Sequence, residues 1–217
     1  MRQLYVLVEG QTEESFVRDT LAVHLNGFGL DPRAIVVKTK RLRSGKAFKG
    51  GTIPWGQIKR QVYELLRASH AAGVTTMLDF YGLPSDFPGQ DNRPTQPRTA
   101  VEHLERCAGN TVGDPRFIPY LSLHEFEALL FADPHVVAQR AGKAGVELQL
   151  QAALSDCKEP ELVDDGPTTA PSKRIIGCWP RYAKSTDGPS LAAEIGMDRL
   201  RAACPHFDGW ICRLESL

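Results

Sequence analysis

The stretch LYVLV at residues 4–8 is apolar throughout and stops on an acid, Glu9. A strand with one face in water alternates apolar and polar residues. A strand without that alternation is covered on both faces, as in a parallel sheet held between helices. The following segments keep to this plan. From Thr12 to Asn26 apolar residues fall at Phe16, Val17, Leu21 and Leu25, a helical spacing ended by Asn26-Gly27. Thr12 is the expected N-cap, with Glu13 and Glu14 in the first turn, where the helix dipole favours acids. AIVVK (34–38) predicts a second strand, and Pro54 opens a helix through Ile58, Val62, Leu65 and Leu66 that closes near Gly73. VTTMLDF (74–80) is a third strand, a helix around 97–108 carries Val101 and Leu104, and RFIPYLSL (116–123) is a fourth strand. This alternation predicts an α/β protein with a mainly parallel sheet and flanking helices. After HEFEALLFADP the pattern turns helical, near 133–155, 189–203 and 205–216, with 156–188 the most loop-like part. The expected division is an α/β core over 1–130 and a helical C-terminal extension over 131–217, packed on that core.

Twenty-six basic and 26 acidic residues cancel, so overall charge selects neither nucleic acid nor membrane as a partner. Its distribution is uneven. Between Pro32 and Tyr63 there is no acid, while Arg33, Lys38, Lys40, Arg41, Arg43, Lys46, Lys49, Lys59 and Arg60 all fall there. Such a segment has a local field that can hold phosphates. The cysteines (107, 157, 178, 204, 212) are odd in number, scattered and without a C-x-x-C pair, which fits reduced thiols in a cytoplasm. Cys204, His206 and Cys212 lack an evident fourth zinc ligand, so packing is the expected role of these cysteines. No apolar run is long enough for a membrane span and no signal segment is recognisable. A cytoplasmic protein is the expectation.

In open α/β sheets, ligand sites gather at the carboxyl ends of the strands. Glu9 ends the first strand, Asp79 lies at the end of the third, and Glu125 follows the fourth; Glu13 joins from the next helical turn, with Asp86 and Glu127 nearby. One acid at a strand end is ordinarily just solvated. Acids delivered to one edge by several strands repel one another unless a cation lies between them. Mg²⁺, bound through carboxylates, waters and phosphate oxygens, is the simplest such cation. Two basic stretches flank this edge. KTKRLRSGKAFKGG (38–51) follows the second strand; it lacks the P-loop spacing, and reads either as a solvated loop or as a grip on a phosphate backbone through Arg43, Lys46 and Lys49. PSKRI (171–175) and WPRYAKS (179–185) form an acid-free patch. Here Lys173 is the expected cation for phosphate charge, with Arg174 beside it. Trp179 and Tyr182 could stack on a base, but burial is the commoner use of such rings.

VEGQTEESF resembles the first motif of Toprim domains, in the E-x-x-x-E version of the overcoming-lysogenization-defect (OLD) nucleases. LDFYGLPSDFPG, HEFEALLFADP, PSKRI and CPHFDGW together resemble DUF4276, a family of Toprim-like proteins related to the OLD nucleases. The resemblance covers most of the chain. It implies a Toprim-like core, Mg²⁺ or Mn²⁺, phosphodiester chemistry on DNA or RNA, and an AAA/ABC-type ATPase partner encoded nearby, as in phage defence. Matched residue by residue, Glu9 and Glu13 form the first acidic motif and Asp79 leads the D-x-D motif. The second acid of that motif is replaced by Tyr81, so a metal shell of Glu9, Glu13 and Asp79 needs a further ligand from Glu125 or Glu127. If Glu125 opens a helix, Glu127 points to another side. The expectation is a metal-dependent nuclease with Glu9, Glu13, Asp79, Glu125 and Lys173 in the catalytic site. The alternative is a non-catalytic Toprim-derived subunit that binds nucleic acid or a partner.

Overall fold

The structure is a computed structural model that describes residues 1–37, 53–163, 166 and 169–217. β1 (Arg2–Val8) leads through α1 (Gln11–Phe16), a π-helical turn (Val17–Leu21), α2 (Ala22–Leu25) and a 3-10 turn (Asn26–Phe28) into β2 (Leu30–Val36). Gly29 makes the reversal at φ 75°, a left-handed conformation that costs glycine no Cβ clash. α3 (Trp55–Leu66) returns to β3 (Ala71–Asp79), and α4 (Pro97–Val112) returns to β4 (Phe117–Ile118) and β5 (Leu121–Ser122). A 3-10 helix (Phe126–Ala132) then opens a helical series: α5 (Pro134–Ala141), α6 (Val146–Cys157), α7 (Pro171–Cys178), α8 (Lys184–Ile195), α9 (Met197–Ala203) and α10 (Pro205–Glu215).

The sheet order is β2-β1-β3-β4, with β5 also on β3, and these pairings are all parallel. Side chains along a strand alternate between faces, and β1 shows why its sequence does not alternate. Leu4, Val6 and Val8 pack with Phe16, Leu130, Leu191, Phe207 and Trp210 on one face. Leu7 packs with Ile58, Val62, Val101 and Leu104 on the other. The first cluster runs without a break from β1 into α10, so the C-terminal helices are seated on the sheet by the same apolar surface. Each fully buried Leu or Phe there contributes about 1.5–3 kcal/mol.

Three local expectations need correction. The strand expected over 116–123 is two short strands. Pro119 offers no N–H for the ladder, and threonines of β3 fill the gap: Thr75 Oγ1 donates to the Ile118 carbonyl, while Thr76 Oγ1 donates to the Tyr120 carbonyl (2.8 Å) and accepts from the Tyr120 N–H (3.0 Å). The segment 156–188 holds α7 and the start of α8. Pro171 starts α7, where a missing N–H costs nothing. Thr12 is inside α1; the N-cap is Gly10, and Glu13 folds back so that Oε2 accepts the Gly10 N–H at 3.1 Å. This is the acidic half of a capping box.

Candidate functional site at the carboxyl edge of the sheet

The register carries three strands to one edge. Val8 of β1 lies beside Val36 and Met77, and Asp79 of β3 lies beside Ser122 of β5. The chain leaves β1 at Glu9, whose Oε1 accepts the Asp79 backbone N–H at 3.0 Å. Glu9 thus reaches across to the end of β3. Glu13 is held one helical turn on by its bond to Gly10. After β5, Glu125 keeps an extended backbone (φ −131°, ψ 160°) before the 3-10 helix begins. Glu127 follows in the first turn of that helix and is buried.

Glu125 and Glu127 therefore do not diverge. Lys184 Nζ lies 3.4 Å from Glu125 Oε1 and 3.5 Å from Glu127 Oε2. The rule that helical residues two apart face different sides fails here because Glu125 is extended rather than helical. Tyr182 adds a donor to Glu127 Oε1 at 3.4 Å. Both residues come from the α8 side of the molecule. The close approach of α8 to α1 depends on Gly188, where a Cβ would stand 2.9 Å from the Tyr182 hydroxyl and 3.5 Å from Thr12 Cγ2.

The acids fall into two electrostatic classes. Burial pushes the Glu9 carboxyl up to about 7, and the charge of Glu13 adds to the rise, while the Asp79 N–H pulls the other way. Glu9 is open to solvent on its outer side, and water there screens part of this. Asp79 is raised well above the usual carboxylate range, first by burial and then by Glu9, Glu13, Glu127 and Glu125. Burial also raises Glu13 and Glu127, with Lys184 opposing in both cases. Glu125 differs. Burial would raise it too, but donors from Ser172 and the Lys184 charge outweigh that and hold it below its ordinary value. Its Oε2 accepts the Ser172 N–H at 2.9 Å, which caps the first turn of α7.

Tyr81 occupies the place of the second D-x-D acid. It is 57% exposed, and its hydroxyl donates to Glu125 Oε1 at 3.3 Å. Burial and the surrounding acids push that phenol upward, so it stays a neutral donor. Lys173 is exposed on α7, and among the described residues no ion pair joins it to these acids. Arg174 turns back to the Thr169 carbonyl at 2.7 Å. Asp86 lies apart, accepting the Trp55 N–H at 3.0 Å as a cap for α3. Tyr182 is buried and Trp179 packs beside it, ring centroids 5.5 Å apart, so these rings serve packing. Arg43, Lys46 and Lys49 lie outside the described residues. The residue that sequence reasoning missed is Lys184. It lies in the basic patch 179–185, but nothing in that patch marks it above Lys173 without knowing where α8 lands.

All these donors are oxygens, which suits a hard divalent cation in kind. They are not preassembled for one. Among the described residues no three Asp, Glu, His or Cys side chains are grouped as metal ligands, so closure on an ion requires rotation of carboxylates now held by backbone N–H groups and Lys184.

A family model described as "Domain of unknown function (DUF4276)" matches residues 8–215. The chain belongs to that family. The match to DUF4276 takes in Glu9, Glu13, Asp79, Glu125 and Glu127 and both basic stretches. Curated proteins offer no sequence match. Among solved structures, the C-terminal region of the Xanthomonas campestris pv. campestris OLD protein is similar. Its platinum-phased form aligns with a TM-score of 0.43 and 16% identity over 96% of this chain and 93% of that one. Its iodine-phased form gives 0.41 and 16% over 96% and 95%. A likeness this distant carries no weight for the chemistry. Among the described residues no helix is long and apolar enough to cross a membrane.

Proposed function

We propose that this DUF4276 protein is a metal-dependent phosphodiester hydrolase acting on nucleic acid. The observation that carries the reading is the convergence of Glu9, Glu13, Asp79 and Glu127 with raised carboxyl pKa values at one strand edge, facing Lys184. Buried carboxylates whose charges oppose one another are well suited to a divalent cation between them. Glu9, Glu13 and Asp79, completed by Glu127 or Glu125, would hold Mg²⁺ or Mn²⁺. When bound, such an ion supplies water activation and neutralises phosphate charge. The chain's own residues do the rest. Glu9 ties the ends of β1 and β3 together through the Asp79 N–H, which keeps the acids in register. Glu125 anchors α7, and with it Lys173 and Arg174, beside the site. Lys173, Arg174 and the basic segment with Arg43, Lys46 and Lys49 would grip the phosphate backbone. The sequence resemblance to Toprim-like proteins related to the OLD nucleases supports the same chemistry, and extends it to an AAA/ABC-type ATPase partner encoded nearby, a role in phage defence and a cytoplasmic setting.

One observation favours a second reading, a non-catalytic subunit that binds nucleic acid or a partner. Tyr81 stands where the second D-x-D acid would be, and its hydroxyl spends a bond on Glu125. Incubating the purified protein with plasmid DNA and with RNA, in Mg²⁺ or Mn²⁺ and in EDTA, separates the two. Cleavage that EDTA abolishes and Glu9→Gln removes supports the hydrolase. Binding without cleavage under every metal condition supports the subunit.

A further inference from the structure

Lys184 is in an unusual place. It is the first residue of α8, directly after the N-cap Ala183. A cation at a helix N-terminus opposes the macrodipole, which favours acids there. The helix meets its own N-terminal need elsewhere, through Asp187 Oδ2, which accepts the Ala183 N–H at 2.7 Å. Local helix chemistry therefore does not account for a lysine at this position. The acids across from it do.

Its contacts have a second feature. Glu125 and Glu127 are nearly inaccessible (side chains 8% and 3% exposed), whereas Lys184 is 44% exposed. The ammonium reaches them from the solvent side on a flexible stem, at 3.4 and 3.5 Å. Tight charge-assisted hydrogen bonds are shorter, about 2.7–2.9 Å. The pair is long and one partner is half in water, which is the geometry of a cation that can leave. Its charge also opposes the rise at Glu13, so its reach extends over the inner part of the cluster.

We propose that Lys184 is the resident counter-cation of the acidic edge, neutralising Glu125 and Glu127 in the metal-free protein and withdrawing when a divalent cation takes those carboxylates. This rests on the metal-dependent reading above. It makes Lys184 a positioning residue with a gating effect: it keeps the acids from repelling one another apart, and it sets a threshold that the metal must exceed. Its charge would weaken metal affinity and stabilise the empty site, two effects of opposite sign on the loaded and the empty protein.

The test is calorimetric titration of Mn²⁺ into the full chain at pH 8, comparing the parent with Lys184→Met and Lys184→Arg. Removing the cation that competes with the metal for these carboxylates should tighten Mn²⁺ binding about tenfold in the Met variant, while the Arg variant stays near the parent. On the unaltered protein, amine labelling read by mass spectrometry should find Lys184 slow to react without metal and faster with saturating Mg²⁺. That measurement decides the matter alone if Lys184→Met does not fold. A parent that binds Mn²⁺, with a Met variant that binds no tighter or a Lys184 whose labelling does not rise, overturns the counter-cation and leaves the metal site standing. A parent that binds no Mn²⁺ removes the metal reading and the counter-cation together.

Discussion

Two groups of buried acids sit at different places on this sheet, and they are used differently. Near α10, Glu161 accepts the backbone N–H groups of His206 and Phe207 at 2.9 Å each and takes a further contact from Arg98. Glu105 accepts the Leu121 N–H at 2.7 Å and faces His206 Nε2 at 3.0 Å. A cleft of about 400 Å³ opens beside this network, lined by Arg98, Glu102, Trp210 and Arg213 among others. Its volume lies within the ordinary range of ligand pockets. Yet Glu105 and Glu161 already have specific donors, and this network staples α10 and α4 to β5. At the carboxyl edge, among the described residues, five acids crowd around a single lysine, Lys184, and Asp79 is raised by four neighbouring carboxylates. A buried acid matched to its own donors is architecture; acids that raise one another's pKa at one edge are held ready for something else.

The largest expected effect lies at the carboxyl edge. Glu9→Gln should lower metal-dependent cleavage by more than the roughly 10–100-fold typical of losing an outer-sphere metal partner, with the unfolding midpoint little changed. A midpoint that falls along with activity would make Glu9 structural and dissolve the contrast. Among the acids matched to donors the signs reverse. Glu161→Ala strands two N–H groups at the start of α10, and should cost about 3 kcal/mol in urea unfolding with Mn²⁺ affinity unchanged.

A pH series sharpens the comparison. Glu9 is raised from 4.5 to about 7, so its contribution to stability is fully present below pH 4.5 and is lost as pH climbs through 7. Asp79, Glu13 and Glu127 are displaced in the same direction. His206 is also raised, Glu105 overcoming the effect of burial, and loses its contribution as pH rises above its ordinary 6.5. Glu125 is lowered, so its contribution is lost only in acid below 4.5. Metal-free protein should therefore melt higher at pH 5.5 than at pH 8. Saturating Mg²⁺ should shrink that gap, and so should Asp79→Asn, whereas a gap unmoved by both would assign it to His206.

Smaller effects are expected at the margins. Replacing Arg43, Lys46 and Lys49 with alanine should flatten the salt dependence of nucleic-acid binding by up to about 0.9 in log–log slope per lost phosphate contact; an unchanged slope would leave that segment merely solvated. Tyr81→Phe removes only the hydroxyl donor to Glu125 and should change Mn²⁺ affinity least of all, while Tyr81→Asp should leave it equal or stronger.

How far these features can be read from sequence follows from the range of the forces involved. The unbroken apolar run of β1 required cover on both faces, and two core clusters provide it. Acids at the ends of β1 and β3 could be placed at one edge because strand direction alone decides that. Lys184 could not, since its position depends on how α8 crosses α1 at Gly188, a contact between residues far apart in the chain. The shared orientation of Glu125 and Glu127 was likewise hidden, because it turns on one extended residue ahead of a 3-10 helix. The gap at Pro119, by contrast, was legible in principle: a proline within a strand removes a ladder N–H and argues against an unbroken ladder.

The most direct test of the contrast between the two acid groups is an anomalous difference map from a crystal soaked in Mn²⁺. It offers the ion both groups of carboxylates at once. The account predicts a peak within coordination distance of Asp79 and at least one of Glu9, Glu13 and Glu127, with Lys184 drawn away from the acids, and no peak at Glu105 or Glu161. A peak at the His206 network, or none at the carboxyl edge under saturating Mn²⁺, would contradict it.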